Sequence, residues 1–158
     1  PNGLSSSKWI CDHNPQGPSM TADQIIATLN LTPHPEGGHY HETWTSPGAD
    51  RAQATAIYFL LRKGERSHWH LVDADELWLF HAGAPLILSL SPDEAGPATD
   101  HLLTSDLSSG APQVLVPADY WQAAHTTGDW TLVSCIVSPG FRFQGFTLAP
   151  PGFDIPKA

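Results

Sequence analysis

At 158 residues the chain suits one domain, since domains run about 100–200 residues. Lys plus Arg number 7 against 16 Asp plus Glu, a formal charge of −9, so neither nucleic acid nor an anionic membrane surface finds the basic patch that binding phosphates requires. Charged residues at 15% lie below the roughly 25% of typical soluble domains, and six Trp with six Phe exclude a disordered chain.

Residues 1–18 read as an irregular arm, with Asn2-Gly3, a serine run at 5–7, Pro15 and Pro18. Residues 19–158 are expected to form a single domain. A helix opens it: Thr21 and Gln24 have the capping-box spacing, Ile25, Ile26 and Leu29 form one apolar stripe, and Pro33 and Pro35 end it. Strands are then predicted at His39–Thr45, Ala54–Leu61, Ser67–Leu71, Glu76–His81, Leu86–Ser91, Asp100–Thr104, Gln113–Val116, Trp121–His125, Thr131–Ser138 and Arg142–Leu148. Turn pairs such as Pro47-Gly48, Lys63-Gly64, Ala82-Gly83 and Pro139-Gly140 separate them. Strands recurring at roughly ten-residue spacing indicate a sandwich or barrel. The longest excursion runs from Ser91 to Pro112, and there is no internal repeat.

Cys11 and Cys135 form no Cys-x-x-Cys pair and read as reduced thiols of a cytoplasmic protein. Cys135 sits in an apolar strand and is expected to pack as a small hydrophobe. No apolar run approaches the ~20 residues of a membrane span, and no basic flank with an apolar core opens the chain.

The nine histidines carry the functional signal. In Ser67-His68-Trp69-His70, alternation on a strand puts His68 and His70 on one face. Glu76 opens the next strand and shares its face with Trp78 and Phe80, and the short turn at 71–75 returns it beside the histidines. Two imidazoles and a carboxylate suit Fe, Mn, Ni or Zn, or else mark a buried Glu bonded to a histidine without metal. A second cluster comprises His34, Glu36, His39, His41 and Glu42, where Gly37-Gly38 permits a close turn. On that strand His39 and His41 share one face, and Tyr40 and Glu42 the other. His81 is expected at the surface, and His13 and His101 in solvent. No Gly-rich phosphate loop, Gly-x-Ser-x-Gly elbow or Cys-centred nucleophile pattern is present.

Gly64, His68-x-His70, Glu76 and Gly83 resemble the first motif of the cupin superfamily. Val116-Pro117 through Gln122 resembles the second, with Asp119 at the usual glycine position and Gln122 at the usual metal-binding histidine. The resemblance extends from about Gln24 to Ala149, through Pro33-His34-Pro35-Glu36-Gly37-Gly38, Ala82-Gly83-Ala84-Pro85-Leu86, Trp121-Gln122-Ala123-Ala124 and Gly128-Asp129-Trp130 to Pro139-Gly140-Phe141. These stretches are similar to a branch of small cupins mostly without assigned activity, related in fold to dTDP-sugar 3,5-epimerases.

That resemblance implies an all-β cupin jelly-roll barrel with a short N-terminal helix, a pocket inside the barrel and a homodimer. The expected function is small-molecule chemistry (isomerase, lyase, cyclase or oxygenase). Its divalent metal would be held by His68, His70 and Glu76, with Gln122 nearby. Glu36, His41 and His70 are the catalytic candidates, and Trp78, Phe80 and His125 the candidate substrate contacts. The alternatives are a metal-free enzyme with a histidine base, as in the epimerases, and a non-catalytic ligand-binding cupin.

Overall fold

The computed structural model describes residues 19–158; the arm expected over residues 1–18 lies outside them. Helix α1 spans Ala22–Thr28. The Thr21 side chain accepts from Gln24 N–H, and the Gln24 side chain accepts from Thr21 N–H, closing the capping box. Eleven strands follow: β1 Thr32–Pro33, β2 His39–Thr45, β3 Thr55–Arg62, β4 Ser67–Val72, β5 Asp75–Gly83, β6 Leu86–Ser91, β7 Thr99–Leu103, β8 Gln113–Val116, β9 Trp121–Thr126, β10 Trp130–Ser138 and β11 Phe146–Leu148.

They form two antiparallel sheets, ordered β1-β2-β3-β10-β5-β8 and β11-β4-β9-β6-β7, the architecture of a cupin jelly roll. β10 shows why this sequence makes strands: buried Thr131, Val133, Cys135 and Val137 alternate with half-exposed Leu132, Ser134 and Ile136, the period of a strand with one face in the core. Between the sheets pack Phe59, Leu61, Trp78, Leu86, Leu88, Leu103 and Val133, each nearly or fully buried. Each such side chain contributes about 1.5–3 kcal/mol through burial.

Two further layers close the outer faces. On the six-stranded sheet, α1 and the turn after it set Ile25 and Leu31 against Leu60. On the five-stranded sheet, the C-terminal segment lays Ala149 and Ile155 over Trp69, Trp121 and Ala123, and Trp69 donates its indole N–H to Asp154 at 2.7 Å.

The expected strand Arg142–Leu148 forms differently. Phe143–Gly145 is a 3-10 turn, and only Phe146–Leu148 pairs, against β4. Gly145 lies so close to Asp73 that an added Cβ would stand 2.2 Å from its carboxyl group, and its carbonyl accepts from Asp73 N–H. The chain is therefore held in a turn there. No helix among the described residues is long and apolar enough to cross a membrane.

Candidate functional site

The apolar core fills one end of the barrel. At the other end the inward positions of the same strands turn polar, around a cavity of ≈ 60 Å³. Thr55 and Ile57 of β3, Cys135 and Val137 of β10 and Glu76 of β5 form its wall on the six-stranded sheet. His70 and Val72 of β4 face them from the other sheet. Tyr40 and Glu42 of β2, with His34 and Glu36 of the preceding turn, complete the polar side, and Phe141, Phe143 and Phe146 line the rest.

The Gly37-Gly38 pair places Glu36. Gly37 has φ +110°, and a Cβ there would fall 2.0 Å from the Arg66 carbonyl oxygen; only glycine permits this approach. The turn is pinned by His68 N–H donating to the Glu36 carbonyl at 2.9 Å, which carries the Glu36 carboxylate into the interior.

There it meets three groups. His70 Nδ1 is 2.8 Å from Glu36 Oε2, Ser67 Oγ donates to the same oxygen at 3.1 Å, and His34 Nδ1 is 3.5 Å from Oε1. Nδ1 of His70 also stands 2.7 Å from the His68 carbonyl. Both its neighbours are acceptors, so Nδ1 carries the proton and Nε2 is the nitrogen left for chemistry. His34 is the reverse: its Nδ1 accepts from Glu36 N–H.

Burial alone would drive His70 neutral, but the Glu36 carboxylate and Glu76 outweigh it and its pKa is raised. Burial likewise opposes the Glu36 charge, yet His70 holds its carboxyl below the usual range. The two form a buried ion pair. For His34, burial prevails over Glu36 and the pKa is lowered.

Glu76 is the outlier. Burial raises its pKa to about 7, with Glu36 adding repulsion against the attraction of His70 and a hydrogen bond from Gln122. The donor is fixed: Trp78 Nε1 donates to Gln122 Oε1 at 2.9 Å, so the amide Nε2 must face Glu76, to which it donates at 2.8 Å. Burial and Glu76 push the Cys135 thiol well up, leaving it a neutral wall group.

Glu36, His70 and Glu76 are thus brought together, and several expected residues are not. His68 was expected to share the face of His70. Ser67 pairs with Ala124 but His70 with Gln122, three residues against two, so a bulge breaks the alternation. Ser67 takes the inward position and His68 Nε2 lies 3.0 Å from the Pro150 carbonyl. Gln122 is buried beside Glu76, with its oxygen already occupied by Trp78. The expected metal set therefore does not converge, and among the described residues no three His, Cys, Asp or Glu side chains are placed to hold an ion. The donors do not fit a divalent metal.

His41 also departs from expectation: Tyr40 and Glu42 take the cavity face of β2. Trp78 supports Gln122 from within the core rather than forming cavity wall. Phe80 packs against the same core. His125 is half-buried, and its pKa is lowered by burial, Lys157 and Arg66; it does not line the cavity.

Sequence reasoning missed Ser67, because a bulge is a product of pairing. It also missed the three phenylalanines: Phe141 precedes the predicted strand Arg142–Leu148, and a regular strand there would have put Phe143 and Phe146 on opposite faces.

The family model described as Cupin superfamily (DUF985) matches residues 23–149. The chain belongs to this family. A crystal structure of a protein from Shewanella oneidensis is similar at 42% identity and TM-score 0.78, covering 83% of this chain and 85% of that one. A hypothetical protein from Leishmania major is 31% identical at TM-score 0.77, covering 85% and 90%. Oxalate decarboxylase from Bacillus subtilis, at 12% identity and TM-score 0.58, covers 78% of this chain and 31% of its own and shares the fold alone. No curated protein matches.

Proposed function

We propose that this cupin is a metal-independent enzyme that moves a proton at the carbon beside a carbonyl of a small substrate, by an acid–base pair of His70 and Glu76. The observation that carries this reading is one cavity lined from opposite sheets by a histidine raised in pKa and a carboxyl group titrating at about 7. A general base works best with a pKa near the operating pH. Buried carboxylates held apart from solvent by their surroundings are how folds obtain one.

Ionised Glu76 takes the proton from carbon, and the carbonyl oxygen receives the electron pair together with a proton from His70 Nε2. Glu76 then delivers its proton to the former carbonyl carbon. The hydroxyl on the first carbon gives its proton to His70 Nε2 and becomes the new carbonyl, which completes an isomerisation and restores both groups. Glu36 does not touch the substrate; it fixes the His70 ring and its Nδ1–H and stabilises the imidazolium. The histidine-base alternative exchanges the two roles, with neutral His70 taking the proton from carbon and protonated Glu76 supplying one to the oxygen.

The test incubates the protein with small α-hydroxy ketones, neutral and amino-bearing, in D2O with a chelator present, following carbon-bound deuterium by NMR. Exchange with wild type, lost in Glu76→Gln and His70→Asn, is the expected result. Exchange that requires an added divalent metal would return the site to the metal-dependent reading.

The reading also pairs two copies of the chain. Ile136, Leu77 and Leu115 lie in register across β10, β5 and β8. They form an apolar row on the outer face, with Leu115 52% exposed.

A further inference from the structure

The sequence resemblance points to nucleotide-sugar chemistry, whose substrates are anions, but the cavity has the opposite electrostatics. Among the described residues no Lys or Arg lines it. Among the described residues Arg51 and Arg142 pair with Asp73, Arg62 with Glu65, Arg66 with Asp154 and Lys157 with Asp100. The carboxylates facing the cavity exceed the one histidine that neutralises them, and the whole chain carries −9.

The remaining wall is aromatic and unusually arranged. Phe141, Phe143 and Phe146 stand 5.1, 5.8 and 6.2 Å apart between ring centroids with interplanar angles of 85°, 62° and 87°. The three rings pack edge to face on one another and form a corner. Phe143 remains 55% exposed, a large apolar face at the mouth. Ring faces are the negative part of the aromatic quadrupole and attract cations.

We propose that the mouth of the cavity takes the ammonium head of a small organic cation, held by the Phe141, Phe143 and Phe146 rings and by the Glu42 carboxylate. This deepens the proton-transfer reading and rests on it for the site: the substrate is an amino-bearing carbonyl compound rather than a phosphate or carboxylate. A phosphate group entering the cavity would meet the Glu36, Glu42 and Glu76 carboxyl groups with no Lys or Arg among the lining residues. With a volume of only ≈ 60 Å³, the cavity admits the reacting carbons between His70 and Glu76, and the ammonium head lies outside them against Phe143.

The experiment is a calorimetric and NMR titration of the full chain with four probes. Choline and ethanolamine are the cations, 3,3-dimethylbutan-1-ol is the neutral isostere of choline, and 3,3-dimethylbutanoate is its anionic counterpart. At least one cation should bind at least about tenfold more tightly than the neutral isostere, with the anion weakest. Phe143→Ala, an exposed position whose loss leaves the core intact, should weaken the cation about tenfold and the neutral isostere less.

Equal affinity for choline and its isostere overturns the proposal, as does preference for the anion. So does the absence of cation binding at tens of millimolar (roughly the weakest affinity a cage of this kind would give), and so does tight Zn²⁺ binding without ammonium binding. Deuterium exchange is read separately on the same protein. Exchange with neutral ketones and no cation preference sinks this inference alone, whereas cation binding without any exchange sinks the catalytic reading and leaves this one standing.

Discussion

Glu76 and His70 oppose one another in their effect on stability. The Glu76 carboxyl group titrates at about 7 in the folded chain against 4.5 ordinarily, so folding favours its protonated form. That contribution is present below 4.5 and is lost as the pH rises to about 7, a loss of about 3 kcal/mol. Glu76→Gln should therefore be more stable than wild type at pH 8, by about 1–3 kcal/mol in urea denaturation, while abolishing deuterium exchange. A less stable variant would mean that the carboxylate is not buried against its charge. His70 behaves differently: its raised pKa makes its ion pair with Glu36 stabilising below 6.5 and lost as the pH rises through the folded value. His70→Ala leaves the Glu36 carboxylate buried and unpaired, which should cost about 3–5 kcal/mol. Ser67→Ala, removing only a hydroxyl donor from the same carboxylate, should cost about 1 kcal/mol. Equal losses from the two would show that Glu36 is solvated rather than paired. Catalytically, the ionised Glu76 required as base predicts an exchange rate that rises through pH 7 and falls only as His70 loses its proton.

The turn carrying Glu36 and the bulge in β4 decide which side chains reach the cavity. A matched pair of glycines measures the first. Gly37 and Gly64 both have positive φ, +110° and +84°, but a Cβ at Gly64 meets nothing within 4 Å, whereas at Gly37 it meets the Arg66 carbonyl. Gly64→Ala should cost about 1–2 kcal/mol, the backbone strain alone. Gly37→Ala should cost clearly more and displace Glu36, detectable as altered titration of His70 by NMR. Similar costs at both sites would mean that the turn relaxes freely. The helix and most strands were legible because local signals set them: a capping box for α1, and alternation of buried and exposed residues for β10. The bulge between Ser67 and His70 was not, since it exists only in the pairing of β4 with β9. Its consequence is large. One extra residue exchanges His68 for Ser67 at the inward position, turning an expected metal-binding pair into a hydrogen-bonded Ser67–Glu36–His70 cluster.

At the level of the molecule, the apolar row of Ile136, Leu77 and Leu115 on the outer sheet face suits burial against a second copy, which would also cover exposed edge strands. Light scattering should give twice the chain mass, and Leu115→Asp should return it to the monomer without changing the β-dominated circular dichroism spectrum. A wild-type monomer at micromolar concentration would remove the dimer from the reading. The sequence by itself determined the barrel and the neighbourhood of the site, because periodic burial, turn glycines and family motifs are properties of short segments: His70, Glu36 and Glu76 all stand out in them. Tertiary structure alone decided which residues share the cavity and what charge they carry. Glu36 and Glu76 lie 40 residues apart, and only the closing of the two sheets puts both carboxyl groups beside one imidazole. Desolvation there raises one carboxyl pKa and ion pairing lowers the other. The same closure, with the 3-10 turn that lays Phe143 at the mouth, set an aromatic corner opposite carboxylates, a juxtaposition that no linear spacing encodes.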